Sequence, residues 1–452
     1  MIHSFAHSKF AHYHYRIVAL THCSIIMKPE FKEEFLHYIW RMKKFSFNDL
    51  HTTQGEAINI YDTGTYNTDG GPDFSNVRIK IGDTEWAGNM EMHLLSHDWQ
   101  LHGHHKNKAY DSVVLHVVYE ENAPAFRTTG EPIPCLELKG RFDEELAKKY
   151  LQLIDNEEVI PCAKHFLDVS QFTKTMWLER LIVERLERKS GDIRIQLEAQ
   201  GSDWEEVFYQ FLAANFGAKI NKQPFRQVAR SLPQKILAKH GDSLMQLEAL
   251  LFGQAGFLQE DLSDDYPREL QREYRFLRKK YDLKPIPKER WKFLRLRPAN
   301  FPTIRLAQFA ALTFRSNRLF SHILEVQTVD DVKELFDLQM SDYWQTHYTF
   351  DKDSKNIKKS LGKNTVHLFI INTIVPFLFL YGKIRDEEAA TKKALQFMDA
   401  LPAENNHIIR DWGSLDIRPD SAYESQALIQ LKNEYCDKKK CLQCAIGHAI
   451  LK

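Results

Sequence analysis

The stretch from Gly70 to Glu120 constrains the fold more than any other part of the sequence, because its polar and apolar residues alternate as in β-strands. Val77, Ile79 and Ile81 are separated by polar residues, and the turn signal Gly82-Asp83 follows them. Two further apolar or β-branched runs continue the pattern. The segment therefore predicts neighbouring strands at residues 77–81, 86–93 and 113–118.

Helical periodicity flanks these strands and then replaces them. A helix is expected from Pro29 towards Met42, a short strand at Ala57 to Tyr61, and long amphipathic helices from Phe172 onward. This order predicts an α/β or α+β domain followed by a mostly α-helical domain and a cysteine-rich tail. We place the divisions at residues 27–165, 166–385 and 386–452.

The first 26 residues lack a long apolar core with a small-residue cleavage site, so they do not predict a signal peptide. Met27 followed by Pro29 is the more natural start, and residues 1–26 are expected to be a non-native or disordered extension. The apolar run from Val366 to Tyr381 is shorter than a membrane span of ~20 residues and predicts a buried helix. No membrane association is expected.

Bulk composition does not identify a partner. The sum of Lys and Arg equals the sum of Asp and Glu at 61 each, so no overall basic charge indicates nucleic acid. A local basic stretch with an aromatic residue could still follow a phosphate backbone. Six cysteines in 452 residues do not resemble a secreted disulfide framework and favour a reducing cytoplasm. The basic stretch contains Lys288, Arg290, Trp291, Lys292, Arg295, Arg297 and Arg305.

Asp73, Glu91 and His93 form the first candidate site. Asp73 lies at the start of one predicted strand, and Glu91 and His93 project from the same face of the next, because side chains alternate along a strand. Carboxylate oxygens suit hard cations such as Mg²⁺ or Mn²⁺. The pattern predicts a metal that activates water and stabilises the charge of a phosphoryl transition state.

This arrangement resembles the PD-(D/E)xK nuclease superfamily, with Pro72-Asp73 as its PD and Glu91-Met92-His93 as its ExK. His93 stands where that family usually has lysine, and a neutral imidazole does not supply the same fixed positive charge. The resemblance implies an additional acid on the first helix. Glu34 would take that place, with Glu33 and Glu56 as alternatives.

A second candidate site is a cluster of imidazoles and acids within one segment. Such a group could bind Zn²⁺ or Mn²⁺ instead of Mg²⁺, or contact phosphates. His102 and His104 would share a side only if their stretch were extended, whereas helical spacing would pair His93 with His97. The cluster contains His93, His97, Asp98, His102, His104, His105, Asp111 and His116.

The third candidate site is the C-terminal tail. Cys436, Cys441 and Cys444 have the spacing C-x4-C-x2-C, and His448 follows. Three thiolates and an imidazole would make a closed zinc site. The same spacing occurs in plant-type iron–sulfur proteins with a remote fourth cysteine, for which Cys162 is the candidate. Zinc and an iron–sulfur cluster both remain open at this point.

At full length, the chain resembles a bacterial family designated only as a domain of unknown function. The resemblance covers nearly everything after Met27 and implies a common architecture without an activity. It is carried by the phrases Gly71-Pro-Asp-Phe, Trp86-Ala-Gly-Asn-Met-Glu-Met-His, Ser96-His-Asp-Trp, Ala109-Tyr-Asp, Leu115-His-Val-Val, Glu248-Ala-Leu-Leu-Phe-Gly-Gln-Ala-Gly-Phe, Arg297-Pro-Ala-Asn-Phe-Pro and Cys441-Leu-Gln-Cys-Ala-Ile-Gly.

The residues therefore favour a metal-dependent nuclease-like hydrolase of phosphodiester bonds, with nucleic acid as the expected partner. Asp73 and Glu91 would hold the metal, and His93 would orient or deprotonate the attacking water. Two alternatives belong to other classes. One is a non-catalytic module that binds nucleic acid or protein on a degenerate nuclease fold, and the other is a zinc hydrolase of a small substrate using His93, His97, His102 or His104.

Overall fold

A computed structural model describes residues 29–316 and 318–452. The expectation for residues 1–26 lies outside these ranges. The described chain forms two compact units. The N-terminal unit reaches Asn156 and includes residues 451–452, and the C-terminal unit is Glu157–Ile450. The helical half and the tail up to Ile450, which we separated at residue 385, both lie in the C-terminal unit.

The N-terminal unit is a mixed sheet with helices, which confirms the α/β part of the predicted fold class. The single predicted strand at residues 86–93 is part of a longer strand that begins at Thr84 and ends at Leu95. The elements are α1 Glu33–Arg41, β1 Ile58–Asp62, β2 Thr65–Tyr66, β3 Phe74–Ile81, β4 Thr84–Leu95, α2 Asp98–Leu101, β5 Val113–Glu120, β6 Cys135–Glu137 and α3 Glu144–Ile154.

Strand order in this sheet is β1-β3-β4-β5-β6, with β2 also paired to β3. The pairs from β1 to β4 are antiparallel, and those from β4 to β6 are parallel. The antiparallel half of β4 is exposed, whereas Met90 to Leu95 and most of β5 are buried. Parallel strands buried on both faces are normally continuous apolar runs. Glu91, His93 and His116 interrupt that run, which marks this place as unusual.

The C-terminal unit is helical around one apolar core, as the sequence predicted for this half. A two-stranded hairpin, β7 His347–Thr349 and β8 Lys352–Asp353, is its only sheet among the described residues. Its helices are α4 Ala163–Phe166, α5 Gln171–Ala199, α6 Trp204–Phe216, α7 Lys222–Ser231, α8 Gln234–Leu237, α9 Leu244–Gln254, α10 Asp265–Tyr281, α11 Pro302–Arg315, α12 Leu319–Glu325, α13 Val329–Leu335, α14 Tyr343–Thr346, α15 Lys363–Phe369, α16 Val375–Arg385, α17 Glu388–Asp399, α18 His407–Gly413, α19 Ala422–Leu431 and α20 Ala445–Ile450.

The apolar run near residue 370 is part of one continuous helical stretch, Lys363–Arg385, in which a π-helical turn at Ile370–Ile374 joins α15 to α16. Within the described residues, this is the one helix whose length and composition would allow a membrane crossing. Most of its side chains are buried in the helical core, including Phe377 and Leu378. That burial is typical of the core helix expected from the sequence.

The sequence segment that begins at Glu248, one of those that carry the family resemblance, has a structural role. The buried Glu248 carboxylate accepts hydrogen bonds from Tyr266 Oη (2.7 Å), Trp344 Nε1 (3.0 Å) and Ser341 Oγ (3.1 Å). In the same helix, a Cβ added to Gly253 would lie 2.2 Å from the ring of Tyr274. Close packing between α9 and α10 therefore requires glycine at this position.

We expect Gly253→Ala to lower the free energy of unfolding by about 1–3 kcal/mol, because the added methyl group overpacks a rigid aromatic contact. Gly191→Ala is the matched control: Gly191 is also helical, and its added Cβ meets nothing within 4 Å. The control should be neutral or stabilising by up to ~1 kcal/mol. Urea denaturation of both variants measures the difference, and equal effects would contradict the packing argument.

Glu248 makes stability depend on pH. Burial raises its pKa from 4.5 to about 7 despite its three donors. The folded state therefore holds this proton more tightly than the unfolded chain, so the stabilisation is complete below the unfolded pKa and is lost as pH rises through about 7. We expect the loss to be on the order of 3 kcal/mol. Unfolding free energies of wild type and Glu248→Gln at several pH values test this, since the variant should show a smaller decline.

Candidate metal centre

Asp73 and Glu91 lie side by side at the junction of β3 and β4. The antiparallel register pairs Phe74 with Met90, so Asp73 is opposite Glu91. The backbone N–H of Asp73 donates to Glu91 Oε2 (3.0 Å), and the backbone N–H of Met92 donates to Asp73 Oδ2 (3.0 Å). Each carboxylate is held by the other residue's strand, and Glu91 is only 5% exposed. The sheet thus fixes the two predicted acids next to each other.

Helix α1 adds an acid and an imidazole to this pair. His37 Nε2 lies 3.2 Å from Asp73 Oδ2, and donor atoms of Glu33, His37 and Asp73 all lie within 4.8 Å of one another. Glu34 is exposed on the helix and Glu56 is exposed elsewhere, so the structure does not bring either of them to Asp73. Glu33, one of the alternatives from the sequence, is the helical acid at this site.

Sequence reasoning missed His37, although a local signal existed. Glu33 and His37 are four residues apart, a spacing that places both on one face of a helix. His37 is buried, as are Phe35, Leu36 and Tyr38 around it, because α1 packs against β4. The helix therefore presents its buried face, with these two polar groups, to the acids of the sheet.

Histidines surround His93 on the other side of Glu91. His93 is fully buried; its Nδ1 lies 2.8 Å from His116 Nε2, and its Nε2 lies 3.1 Å from His102 Nδ1. His104 Nε2 lies 3.2 Å from Glu91 Oε1. Donor atoms of His93, His102 and His104 all lie within 4.8 Å of one another. Glu91 is thus in contact with both the acid-containing group and this histidine group.

A glycine turn brings His102 and His104 together. We expected them to share a side only in an extended segment, but the segment is not extended: α2 ends at Leu101 with His102 as its C-cap, and a 3₁₀ turn begins at His104. Gly103 between them has φ of 77°, the left-handed conformation that favours glycine. This reversal directs both imidazoles towards His93. The ring of His104 is then fixed by stacking on Tyr110, with centroids 3.8 Å apart.

Two carboxyl groups of the site, those of Glu33 and Glu91, resist ionisation. Burial raises the pKa of Glu91 and of Glu33 to about 8, and the neighbouring Asp73 charge adds to both shifts. Burial alone would lower the pKa of His37, but its hydrogen bond and charge interaction with Asp73 raise it. Carboxyl groups are therefore crowded here, and His37 is the nearest group that can carry a compensating positive charge. A bound cation would relieve the repulsion between the carboxyl groups.

In the histidine group, burial lowers pKa values, whereas it raises those of the neighbouring carboxyl groups. Burial lowers the pKa of His93 well below its usual range, with further lowering by the neighbouring histidines, and burial lowers that of His116 to about 3. Burial also lowers the pKa of His104. Neutral imidazoles are the form that ligates transition metals. His93, His102 and His104 are therefore chemically suited to hold a metal such as Zn²⁺ or Mn²⁺.

Other members of the predicted histidine cluster have structural contacts. His97 Nδ1 lies 3.0 Å from Asn122 Nδ2, and its Nε2 lies 3.6 Å from Asp98 Oδ1. Asp111 accepts hydrogen bonds from the backbone and hydroxyl of Thr128 at 2.9 and 2.6 Å. The structure therefore does not group His97 with the three histidines around His93.

The predicted tail cysteines converge in the C-terminal unit. Cys162 precedes α4, and the other three lie between α19 and α20, yet one pocket is lined by all four thiol-bearing residues. Burial raises the pKa of Cys162 to about 12, and the thiols of Cys444 and Cys441 raise it further. The Nε2 of His448 contacts the carbonyl of Leu442. We call this the cysteine pocket: Cys162, Cys436, Cys441 and Cys444.

The basic stretch is partly structural. Trp291 is buried and donates its indole N–H to the carbonyl of Ala255 (2.8 Å), so it is not a stacking platform. Arg305 donates to Asn300 Oδ1 (2.7 Å) and Gln308 Oε1 (3.1 Å). Four cations of the loop, namely Arg290, Lys292, Arg295 and Arg297, are exposed.

Family comparison agrees with the full-length resemblance. Residues 33–407 match the family described as "Protein of unknown function (DUF2851)". The chain belongs to the DUF2851 family. Searches of curated proteins and of solved structures gave no match. The matched range in DUF2851 includes Asp73, Glu91 and the three histidines but ends before the tail cysteines.

We expect Co²⁺ or Mn²⁺ to bind the histidine group, and His104→Ala to weaken this binding at least about 10-fold, because a ligand is removed. His97→Ala is the matched control from the same segment and should bind as wild type does. Calorimetric titration of the wild type and of the two variants measures the three affinities. Equal weakening by the two substitutions, or unchanged binding by His104→Ala, would contradict the assignment.

Proposed function

We propose that this DUF2851 protein is a metal-dependent hydrolase that cleaves phosphodiester bonds in nucleic acid. The observation that carries the proposal is the pairing of Asp73 with Glu91, each hydrogen-bonded to the backbone of the other's strand, with Glu33 and His37 beside them. Buried, convergent carboxylates with raised pKa values are a recurrent property of catalytic sites. Mg²⁺ or Mn²⁺ is the cation that such oxygen donors favour.

In this proposal Asp73 and Glu91 hold the cation. When bound, the cation would lower the pKa of a water molecule and neutralise charge on the phosphoryl group. Asp73 Oδ2 and Glu91 Oε2 each accept a backbone N–H, so their orientation is set before any substrate binds. His37 supplies positive charge beside Asp73 when it is protonated. Lysine supplies the positive charge in the nuclease superfamily that the sequence resembles.

His93 takes a different part from the one predicted. We expected it to orient or deprotonate the attacking water, but both of its ring nitrogens face other histidines, and its side chain is fully buried. We therefore assign His93 to positioning His102 and His116. When no metal occupies the histidine group, His104 is the better proton acceptor, since its Nε2 lies 3.2 Å from Glu91 Oε1 and burial lowers its pKa.

Nucleic acid is the substrate class favoured by the resemblance to PD-(D/E)xK nucleases. The exposed cations Arg290, Lys292, Arg295 and Arg297 offer a contact for a phosphate backbone. The convergence of Asp73, Glu91 and Glu33 favours catalysis over the alternative of a degenerate binding module, which has no need of three clustered acids.

A second candidate function is a zinc hydrolase of a small substrate. The specific observation in its favour is the convergence of His93, His102 and His104, since three imidazoles suit Zn²⁺ better than Mg²⁺. The two candidates differ in the metal that restores activity to chelator-treated protein and in the substrate that is consumed.

The nuclease proposal predicts that purified protein cuts DNA or RNA when Mg²⁺ or Mn²⁺ is added. Glu91→Ala and Asp73→Asn should lower the rate at least about 100-fold, because the first removes a metal ligand and the second removes the negative charge of one. Cleavage of labelled single- and double-stranded substrates measures the rate, and circular dichroism checks that the variants fold.

Two adjacent glutamates supply a matched control. Glu33→Gln should reduce the rate, because Glu33 lies with Asp73, whereas Glu34→Gln should not, because Glu34 is exposed. No cleavage of any nucleic acid with either metal would overturn the nuclease proposal. Hydrolysis of a small ester or amide with Zn²⁺ alone would instead favour the second candidate.

A further inference from the structure

The cysteine pocket joins segments that are far apart in the sequence. Cys162 lies at the start of the C-terminal unit, while Cys436 ends a π-helical turn, Lys432–Cys436, and Cys441 begins a 3₁₀ turn, Cys441–Gln443. Cys436, Cys441 and Cys444 are buried, and Cys162 is half-buried. The thiols of Cys441 and Cys444 both interact electrostatically with Cys162 and with Cys436. Four thiols from three separate turns thus face one another.

Close packing fixes the loop that carries two of these thiols. A Cβ added to Gly447 would lie 2.1 Å from the carbonyl oxygen of Cys441, so α20 lies directly against the cysteine turn. Burial raises the pKa of the Cys444 thiol, and hydrogen bonds from the backbone N–H groups of Gly447 and Ile446 oppose that rise. Hydrogen bonds to sulfur are one way in which proteins stabilise metal-bound thiolates.

Trp177 adds a further donor at the pocket. Its buried indole N–H has no hydrogen-bond partner of standard geometry within the described residues. The side chain nevertheless interacts with the Cys444 thiol and opposes the rise in that thiol's pKa. An unsatisfied buried donor costs free energy unless it has a partner of suitable charge. A metal-bound thiolate at Cys444 would supply that partner, because it carries negative charge that a neutral thiol lacks.

The spacing of the thiols bears on whether the pocket would hold a zinc ion or an iron–sulfur cluster. A tetrahedral zinc ion with Zn–S bonds of about 2.3 Å holds its sulfur ligands roughly 3.8 Å apart. Within residues 29–316 and 318–452, groups of at least three donor atoms within 4.8 Å of one another consist of carboxylates and imidazoles, not thiols. No three thiols of the cysteine pocket therefore lie within 4.8 Å of one another. A cluster that carries its own sulfide ions between the thiolates suits this wider set.

The remaining lining of the pocket is largely apolar. Pro161, Leu431 and Ile446 lie beside the thiols. An apolar surrounding limits access of water, which protects iron–sulfur clusters and influences their reduction potential. The Nε2 of His448 contacts the Leu442 carbonyl, so that nitrogen is not directed at the thiols.

We propose that the cysteine pocket binds an iron–sulfur cluster through four thiolates, and that the cluster ties the C-terminal helix α20 to the segment around Cys162. The cluster is structural in this account, because it joins ligands separated by most of the C-terminal unit. It is independent of the hydrolase activity proposed for the N-terminal unit.

The full chain, purified without oxygen and reconstituted with ferrous iron and sulfide, should contain equal molar amounts of iron and acid-labile sulfide and show broad visible absorption. X-ray absorption at the iron edge should report sulfur neighbours and no imidazole nitrogen. One zinc ion per chain in place of iron, or folded protein that takes up no iron, would overturn the proposal. These measurements use the wild-type chain and do not depend on the folding of a variant.

Variants then locate the ligands. Cys162→Ser should lose most of the visible absorption and lower the melting temperature, whereas His448→Ala should retain its iron. Cys135→Ala controls for loss of a buried cysteine, because Cys135 lies in β6 of the N-terminal unit. Retention of iron by Cys162→Ser together with its loss from His448→Ala would replace the four-cysteine set with one that includes the imidazole.

Discussion

The candidate site depends on two hydrogen bonds across the β3–β4 pair, from the Asp73 N–H to Glu91 Oε2 and from the Met92 N–H to Asp73 Oδ2. They hold two carboxyl groups together at a place where mutual repulsion would separate them. Burial and that repulsion keep the pKa of Glu91 near 8. The backbone of the sheet thus supplies the restraint, and the other candidate ligands are added around it by α1 and by the Gly103 turn.

Such an arrangement costs stability, because buried ionisable groups without full compensation are unfavourable. His93 and His116 occupy positions on parallel strands where apolar residues would normally lie. A chain that places imidazoles and carboxyls there departs from the pattern of a purely structural core, and departures of this kind are expected at functional sites. The C-terminal unit shows the opposite case at Glu248, where three donors satisfy a buried carboxyl group.

Sequence reasoning identified Asp73, Glu91 and the sheet because strand alternation is a local property. It did not find His37 or choose Glu33 over Glu34, since the rotation of α1 relative to the sheet depends on packing across more than 30 residues of chain. The pairing of His102 with His104 required the left-handed conformation of Gly103, which periodicity does not encode. Cys162 was identified as a remote partner from cysteine counting, while its place beside the tail thiols emerged only from the tertiary fold.

The most direct test is a crystal structure of the chain soaked with Mn²⁺, with anomalous scattering used to locate the metal. The account predicts an anomalous peak bound by Asp73 and Glu91, with Glu33 or His37 close to it, and loss of that peak in Glu91→Ala. A metal bound only by His93, His102 and His104 would instead favour the second candidate, a hydrolase that uses the histidine group. Anomalous density away from both groups, with Asp73 and Glu91 still hydrogen-bonded as they are here, would contradict a catalytic metal centre.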